Sequence, residues 1–372
     1  MPNRLIFANQ FRGLAALLVI VSHYLGVYFS MRPVVAAATL SLPFPITTPA
    51  WVQATNVPGL YYGPLGVSLF FLISGLVVPI SLHRLRPKIF LLARLFRILP
   101  TYWCCLAIGL TAAWLSGHYW QQPQGLSPVW MLGNALLLHN YLGQPSLDLV
   151  NWTLAIELKF YLLVALTLPW LLRPGLDYPL IASALVILLN GLATFGPAGM
   201  AAPALPALAT EGVYLLFMLI GVGFYQHLVG GLSTLKLMLR SLILLGGFGA
   251  AWACSAQREW FPLVPGQYAL ALLLFSLGYG LRHHFRPLRL LDYLADISYP
   301  LYAVHAVLGY ASLQALIHAG WSFEAALILT LSLVIGLATL IHHLIELPST
   351  RFGKRLAARW QVRQDAVVAE RP

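Results

Sequence analysis

Charge is what this sequence has least of. Only 9% of its 372 residues are Asp, Glu, Lys or Arg, where soluble globular domains carry about 25%. Long polar stretches are missing as well. Apolar runs recur from end to end with no hydrophilic block to part them, which excludes a string of soluble domains and favours one membrane domain. Cysteine is scarce: Cys104, Cys105 and Cys254 form no CxxC pair and no metal-ligand spacing, so no disulfide framework, redox motif or metal site is expected. Fixed-period repeats and low-complexity segments are also lacking. The net charge of +11 invites a nucleic-acid reading. The basic residues, however, sit in short clusters between apolar runs, where membrane topology signals belong, and nucleic acid is not an expected partner.

What is present is grease: 59% of the residues are hydrophobic. A membrane span needs about 20 of them in succession. Ten runs qualify, near 13–31, 64–82, 98–116, 154–172, 178–196, 210–229, 238–255, 267–281, 295–318 and 324–346. An eleventh, PVWMLGNALLLHNYLG (128–143), is short and carries Asn134, His139 and Asn140. The basic clusters are Arg4 with Arg12, HRLRPKIFLLARLFR, Arg173, Lys236 with Arg240, RHHFRPLR and RFGKRLAARW. They fall on one side only if ten segments cross and 128–143 does not. The expectation is therefore an all-α integral membrane protein of about ten transmembrane helices plus one short re-entrant or surface helix, with both termini cytoplasmic. The transmembrane domain spans 1–355, and 356–372 is a basic, flexible cytoplasmic tail. The N-terminal apolar stretch imitates a signal peptide. An arginine and a histidine within it are foreign to such a segment, so it is expected to stay as the first helix.

Ionisable groups inside membrane spans are costly and point to function. Arg12 and His23 are eleven residues apart, which puts them within about 20° on one helix face and roughly 16 Å apart along the axis. That predicts a shared cavity, with Arg12 at its cytoplasmic edge and His23 deep in the bilayer. Taken singly, Arg12 snorkelling to the interface and His23 bonding a neighbouring carbonyl would serve as well. Glu157, in NWTLAIELKFY, needs a partner or a water-filled cavity, and His23 or His305 is expected to supply one. In ISYPLYAVH, Ser298 and His305 are seven apart with Tyr302 beside them: a hydrogen-bonded helix seam or a substrate wall. Arg94 and Arg97 are three apart and suit a diphosphate, although topology alone would also place basic residues there. Ser74 and Gly75 allow close approach of a ligand or of another helix. His342, His343 and Glu346 read as a structural ion pair. Trp51, Tyr61 and Tyr62 in the outer loop 32–63 are candidate sugar-stacking rings or ordinary interface anchors.

These motifs stand together in one order: Arg12-x10-His23, GVSLFFLISG, RLFRILPTYW, WTLAIELKFY, ISYPLYAVH and IELP. In this the chain resembles the membrane-bound acyltransferase 3 family, whose bacterial members O-acylate surface polysaccharides and some small molecules. The resemblance covers most of residues 9–355. There are departures: Asn-Gln-Phe-Arg-Gly stands where the family often has Asp-Gly-Leu-Arg-Gly, and Thr153 and Leu158 replace a serine and a second glutamate. The arginine, histidine and glutamate are intact. With no esterase-like domain following, the chain reads as a stand-alone transferase.

The resemblance implies acyl-CoA, taken as acetyl-CoA, as co-substrate and no permanently bound cofactor. The implied acceptor is a carbohydrate or glycolipid hydroxyl, and the implied setting is the bacterial cytoplasmic membrane among its lipids. Assembly into a homo-oligomer stays open. His23 is then general base or acyl relay, with Glu157 orienting it and Arg12 beside the donor's entrance. Arg94 and Arg97, with Ser74 and Gly75, would hold the donor, while Trp152, Tyr161, Ser298, Tyr302 and His305 would face the substrate. A multi-span secondary transporter is the alternative, against which no inverted repeat is visible. A purely structural scaffold leaves the Arg12/His23 alignment without a cause.

Overall fold

The computed structural model describes residues 5–43, 45–83, 85–122, 127–197 and 204–369. Arg4 and Arg84, both members of the basic clusters, lie outside them. Every regular element among the described residues is helical. Ten helices there are long and apolar enough to cross a membrane, and the chain is a multi-pass membrane protein. They are α1 (Ile6–Ser30), α2 (Tyr62–Leu82), α3 (Pro87–Tyr119), α4 (Asn151–Leu171), α5 (Asp177–Phe195), α6 (Ala204–Leu228), α7 (Thr234–Ala253), α8 (Leu263–Gly280), α9 (Arg289–His318) and α10 (Phe323–Ile341). Ten crossings return the chain to the face from which it started, here called the inner face.

The 128–143 segment is not an eleventh crossing. It folds as a short helix, Pro128–Ala135, and a 3-10 turn, His139–Leu142. Its polar residue Asn134 decides this. The buried Asn134 side chain accepts from the Leu147 backbone N–H (3.0 Å) and from Asn151 Nδ2 (2.8 Å), tying the segment to the start of α4. A buried amide is tolerated only when satisfied in this way.

One boundary shifts: the helix carrying 98–116 begins eleven residues earlier, at Pro87, and Arg94 and Arg97, expected side by side on a helix surface, lie within it. From 356 the chain is helical through Ala369: α10 continues by a π-helical turn, His342–Glu346, into α11 (Leu347–Ala369). The first turns of α11 pack on α3, with the rings of Phe352 and Phe96 5.2 Å apart and Ala357 buried. In the π-turn His342 Nδ1 lies 2.7 Å from Glu346 Oε2, a hydrogen-bonded contact, while His343 bonds the Thr339 carbonyl (2.8 Å) instead.

Burial separates centre from rim. The apolar stretch of α6 is 78% buried and that of α5 only 22%, so α6 is central and α5 faces outward. Leu188 on α5, Leu242 on α7 and Ile328 on α10 are exposed, which suits lipid and would promote aggregation in water. At the centre α1 packs on α2 and α9, and α2 packs on α6. Gly75 of α2 meets Gly221 of α6 backbone to backbone; a Cβ on Gly75 would lie 2.8 Å from the Gly221 Cα. Small residues permit such close approach where lipid offers no hydrophobic drive between helices.

Candidate active site

The His23 region of α1 departs from α-helical winding: Ser22–Val27 form a π-helical stretch, a distortion frequent at functional sites. His23 Nδ1 lies 2.7 Å from the hydroxyl of Tyr310 on α9. The His305 ring stands edge-on to the His23 ring at 4.6 Å. Tyr24, one residue on, donates to the His305 carbonyl (2.8 Å), and its ring fits because position 309 is glycine. Helix α9 therefore holds His23 from one side through a hydrogen bond, a ring contact and the anchoring of its neighbour.

Below His23, toward the inner face, is a narrow chamber of about 80 Å³. Arg12 of α1, Ser74 of α2, Arg97 of α3, Glu157 and Tyr161 of α4, and Ser298 and Tyr302 of α9 line it. Glu157 Oε1 accepts from the Tyr161 hydroxyl (2.5 Å) and from Ser74 Oγ (3.4 Å). Thr153 donates to the Tyr302 hydroxyl at 2.9 Å and fixes that ring's end. Three guanidiniums (Arg12, Arg97 and, behind Tyr161, Arg94) are set against the carboxylates of Glu157 and Glu346, an excess of positive charge in a site largely shielded from water. Such a chamber attracts an anion and penalises a cation.

Above it lies a wider chamber of about 460 Å³, to which His23 and Ser22 contribute from α1. Its wall is aromatic: Trp152, Tyr214, Trp252 and Tyr268, with the Trp152 and Tyr214 rings 5.1 Å apart. Val67 and Tyr302 belong to both chambers and form the wall between them.

The start of α4, which presents Trp152, Thr153 and Glu157, is set by Asp148. Its buried Oδ1 accepts from the backbone N–H groups of Val150 (3.0 Å) and Asn151 (2.8 Å). Burial pushes the Asp148 carboxyl up to about 6 in spite of these donors, which favour the charged form.

Arg12, Ser74, Arg97, Glu157, Tyr161, Ser298 and Tyr302 thus converge on the inner chamber, and His23, Trp152 and Tyr302 on the outer one. Other expectations need correction. Arg12 and His23 face two chambers rather than one cavity. Glu157 does not orient His23. Helix α4 enters from the opposite face, so five residues beyond Trp152 the chain is about 7.5 Å deeper, beside the arginines. A buried carboxylate is better compensated there than beside a neutral imidazole. Arg94 turns away from the chamber: its Nη2 bonds Ser81 Oγ (2.6 Å) and its guanidinium lies 5.1 Å from the Tyr161 ring centroid. Gly75 serves the α2–α6 contact rather than a ligand. His305 is fully buried behind His23, its Nδ1 2.9 Å from the Tyr302 carbonyl, and lines neither chamber. Trp51 bonds Glu324 (2.8 Å) and packs on Phe323, Tyr62 donates to the Thr55 carbonyl (2.8 Å), and none of Trp51, Tyr61 and Tyr62 lines either chamber.

Tyr310, Tyr214 and Trp252 were missed. In the sequence each is one aromatic within an apolar run, with the look of an interface anchor. Tyr310 is 287 residues from His23, and only the α1–α9 packing joins them.

Among known proteins, a family model described as an acyltransferase domain matches residues 5–342, which takes in every residue of both chambers. No curated protein and no solved structure matches the chain.

Proposed function

The chain belongs to this acyltransferase family and is a membrane acyltransferase; from that premise we propose that it moves an acyl group, taken as acetyl, from acyl-CoA to a hydroxyl of a cell-surface carbohydrate or lipid-linked glycan. The inner face is assigned to the cytoplasm of a bacterium, because the basic clusters between spans gather there. The donor enters from that face and the acceptor from the opposite one. The observation that carries this reading is the adjacency of an anion-attracting chamber and an aromatic chamber holding His23, with Val67 and Tyr302 common to both.

In this reading Arg12 and Arg97 hold phosphate oxygens of the donor, and Arg94 stiffens the Tyr161 wall behind them. The narrow inner chamber admits the flexible thioester arm and the phosphate next to it, while the adenosine stays outside. With Nδ1 occupied by Tyr310, Nε2 of His23 is the nitrogen left for the acceptor hydroxyl. It removes the hydroxyl proton as the oxygen attacks the thioester carbonyl. The carbon–sulfur bond breaks, and the proton passes from the imidazolium to the departing thiolate. An acyl-histidine relay would use the same nitrogen as nucleophile, forming a carbon–nitrogen bond before the hydroxyl attacks.

The test is labelled acetyl-CoA incubated with membranes bearing the protein. Label is expected in glycan, and His23→Ala should insert normally yet lose transfer by ~10²–10⁴-fold, the usual contribution of general base catalysis. Undiminished transfer in that variant would refute the role of His23. A wild type that transfers no label while moving a solute would favour the transporter.

A further inference from the structure

A third cavity, of about 580 Å³, adjoins the outer chamber, and Trp152, Tyr214 and Gln257 border both. Its remaining polar lining is Asn140, Thr210 and Glu211. Glu211 is buried, and its charge is balanced: Lys159 Nζ lies 2.7 Å from Oε1, and the Tyr141 hydroxyl donates to Oε2 at 2.5 Å. The Lys159 ammonium sits 4.8 Å from the Tyr141 ring centroid, which fixes the cluster. Unlike the inner chamber, this cavity carries no uncompensated charge. Its natural occupant is neutral and polar.

Hydrogen-bonding capacity remains open along the wall. Among the described residues the side chains of Asn140 and Thr210 engage no partner. Gln257 uses its Oε1 to accept from Tyr214 (3.2 Å), which leaves its amide N–H groups for a ligand. An aromatic face flanked by uncommitted amides and a hydroxyl matches a pyranose, which has an apolar ring face and hydroxyls around its edge.

We infer that this third cavity is an acceptor subsite, seating the saccharide unit next to the one acylated in the outer chamber. The inference rests on the proposed carbohydrate acceptor, and it specifies that the acceptor is a disaccharide or longer. Trp152 stands between the two units.

The experiment uses the full chain in lipid nanodiscs. The probes are methyl glycosides of glucose, galactose, mannose and rhamnose, and the 1→4-linked disaccharides built from them. Binding is read by saturation-transfer NMR, and label transfer from acetyl-CoA is read in parallel. Asn140→Ala and Thr210→Val remove groups that no other side chain relies on, and gel filtration verifies that each variant is intact. At least one disaccharide should bind, and each variant should weaken it about tenfold, a change of 1.4 kcal/mol, with methyl glycosides unaffected. Equal weakening of both probe sets, no weakening, or no sugar binding at all overturns the subsite. Disaccharide binding that depends on Thr210 without any label transfer would uphold the subsite and sink the transferase chemistry. Transfer that is indifferent to both variants would do the reverse.

Discussion

The inner and outer chambers share Val67 and Tyr302 and little else. The inner one is narrow and built of charge: two guanidiniums, a carboxylate, and the hydroxyls that brace it. The outer one is nearly six times larger and built of rings, with a single imidazole as its reactive group. The difference teaches what each half can recognise. Buried uncompensated charge selects by sign, which suits a phosphate-bearing donor. Aromatic walls with one amide, Gln257, and the Ser22 hydroxyl select by shape and hydrogen bonding, which suits a neutral polyol. In the proposed reaction the acyl group crosses the wall of Val67 and Tyr302 to reach His23 in the outer chamber.

The sharpest way to break the comparison is to close that boundary. Val67→Phe adds a ring at a position common to both walls. Transfer should fall by ~10²-fold or more, since reacting groups held apart by an ångström lose about that much. Binding of acetyl-CoA and of the glycan, measured separately, should persist. Undiminished transfer would mean that the chambers meet elsewhere. A smaller effect sharpens the assignment of chemistry to the outer half. Tyr310→Phe removes the hydrogen bond to His23 Nδ1, and kcat should drop about tenfold, in line with the ~1.4 kcal/mol of a hydrogen bond to a group that gains charge. Both KM values should hold, and the acid limb of the pH–rate profile should shift. An unchanged kcat would remove Tyr310 from the mechanism.

Much of the inner half was legible in the sequence. Arg12, Glu157, Ser298 and Tyr302 are polar groups in spans that lipid would penalise, so each was marked as a site candidate, although Glu157 was expected beside His23 rather than beside the arginines. The ten crossings were legible for a related reason, since the polar Asn134 and the basic clusters agree that 128–143 stays at one face. Partner choice was not legible. Glu157 could pair with imidazole or guanidinium, and the answer turned on how deep α4 carries it. Arg94 and Arg97 are neighbours on one helix surface, yet a 60° turn puts one in the chamber and the other behind Tyr161. Gly75 looked like a ligand contact because a close helix approach and a ligand approach ask for the same missing side chain. The outer half was the harder to read. Its rings (Tyr214, Trp252 and Tyr268) match the apolar background of the spans, and only their convergence distinguishes them.

The division of labour between the chambers is tested most directly by measuring donor and acceptor KM separately in Arg97→Gln and Trp152→Ala, with acetyl-CoA and the glycan labelled by wild-type membranes. Arg97→Gln should raise the acetyl-CoA KM about tenfold, the loss expected for a charge-assisted contact, and leave the glycan KM unchanged. Trp152→Ala should raise the glycan KM and leave that for acetyl-CoA unchanged. If both variants raise the same KM, the two chambers bind one substrate between them and the account fails.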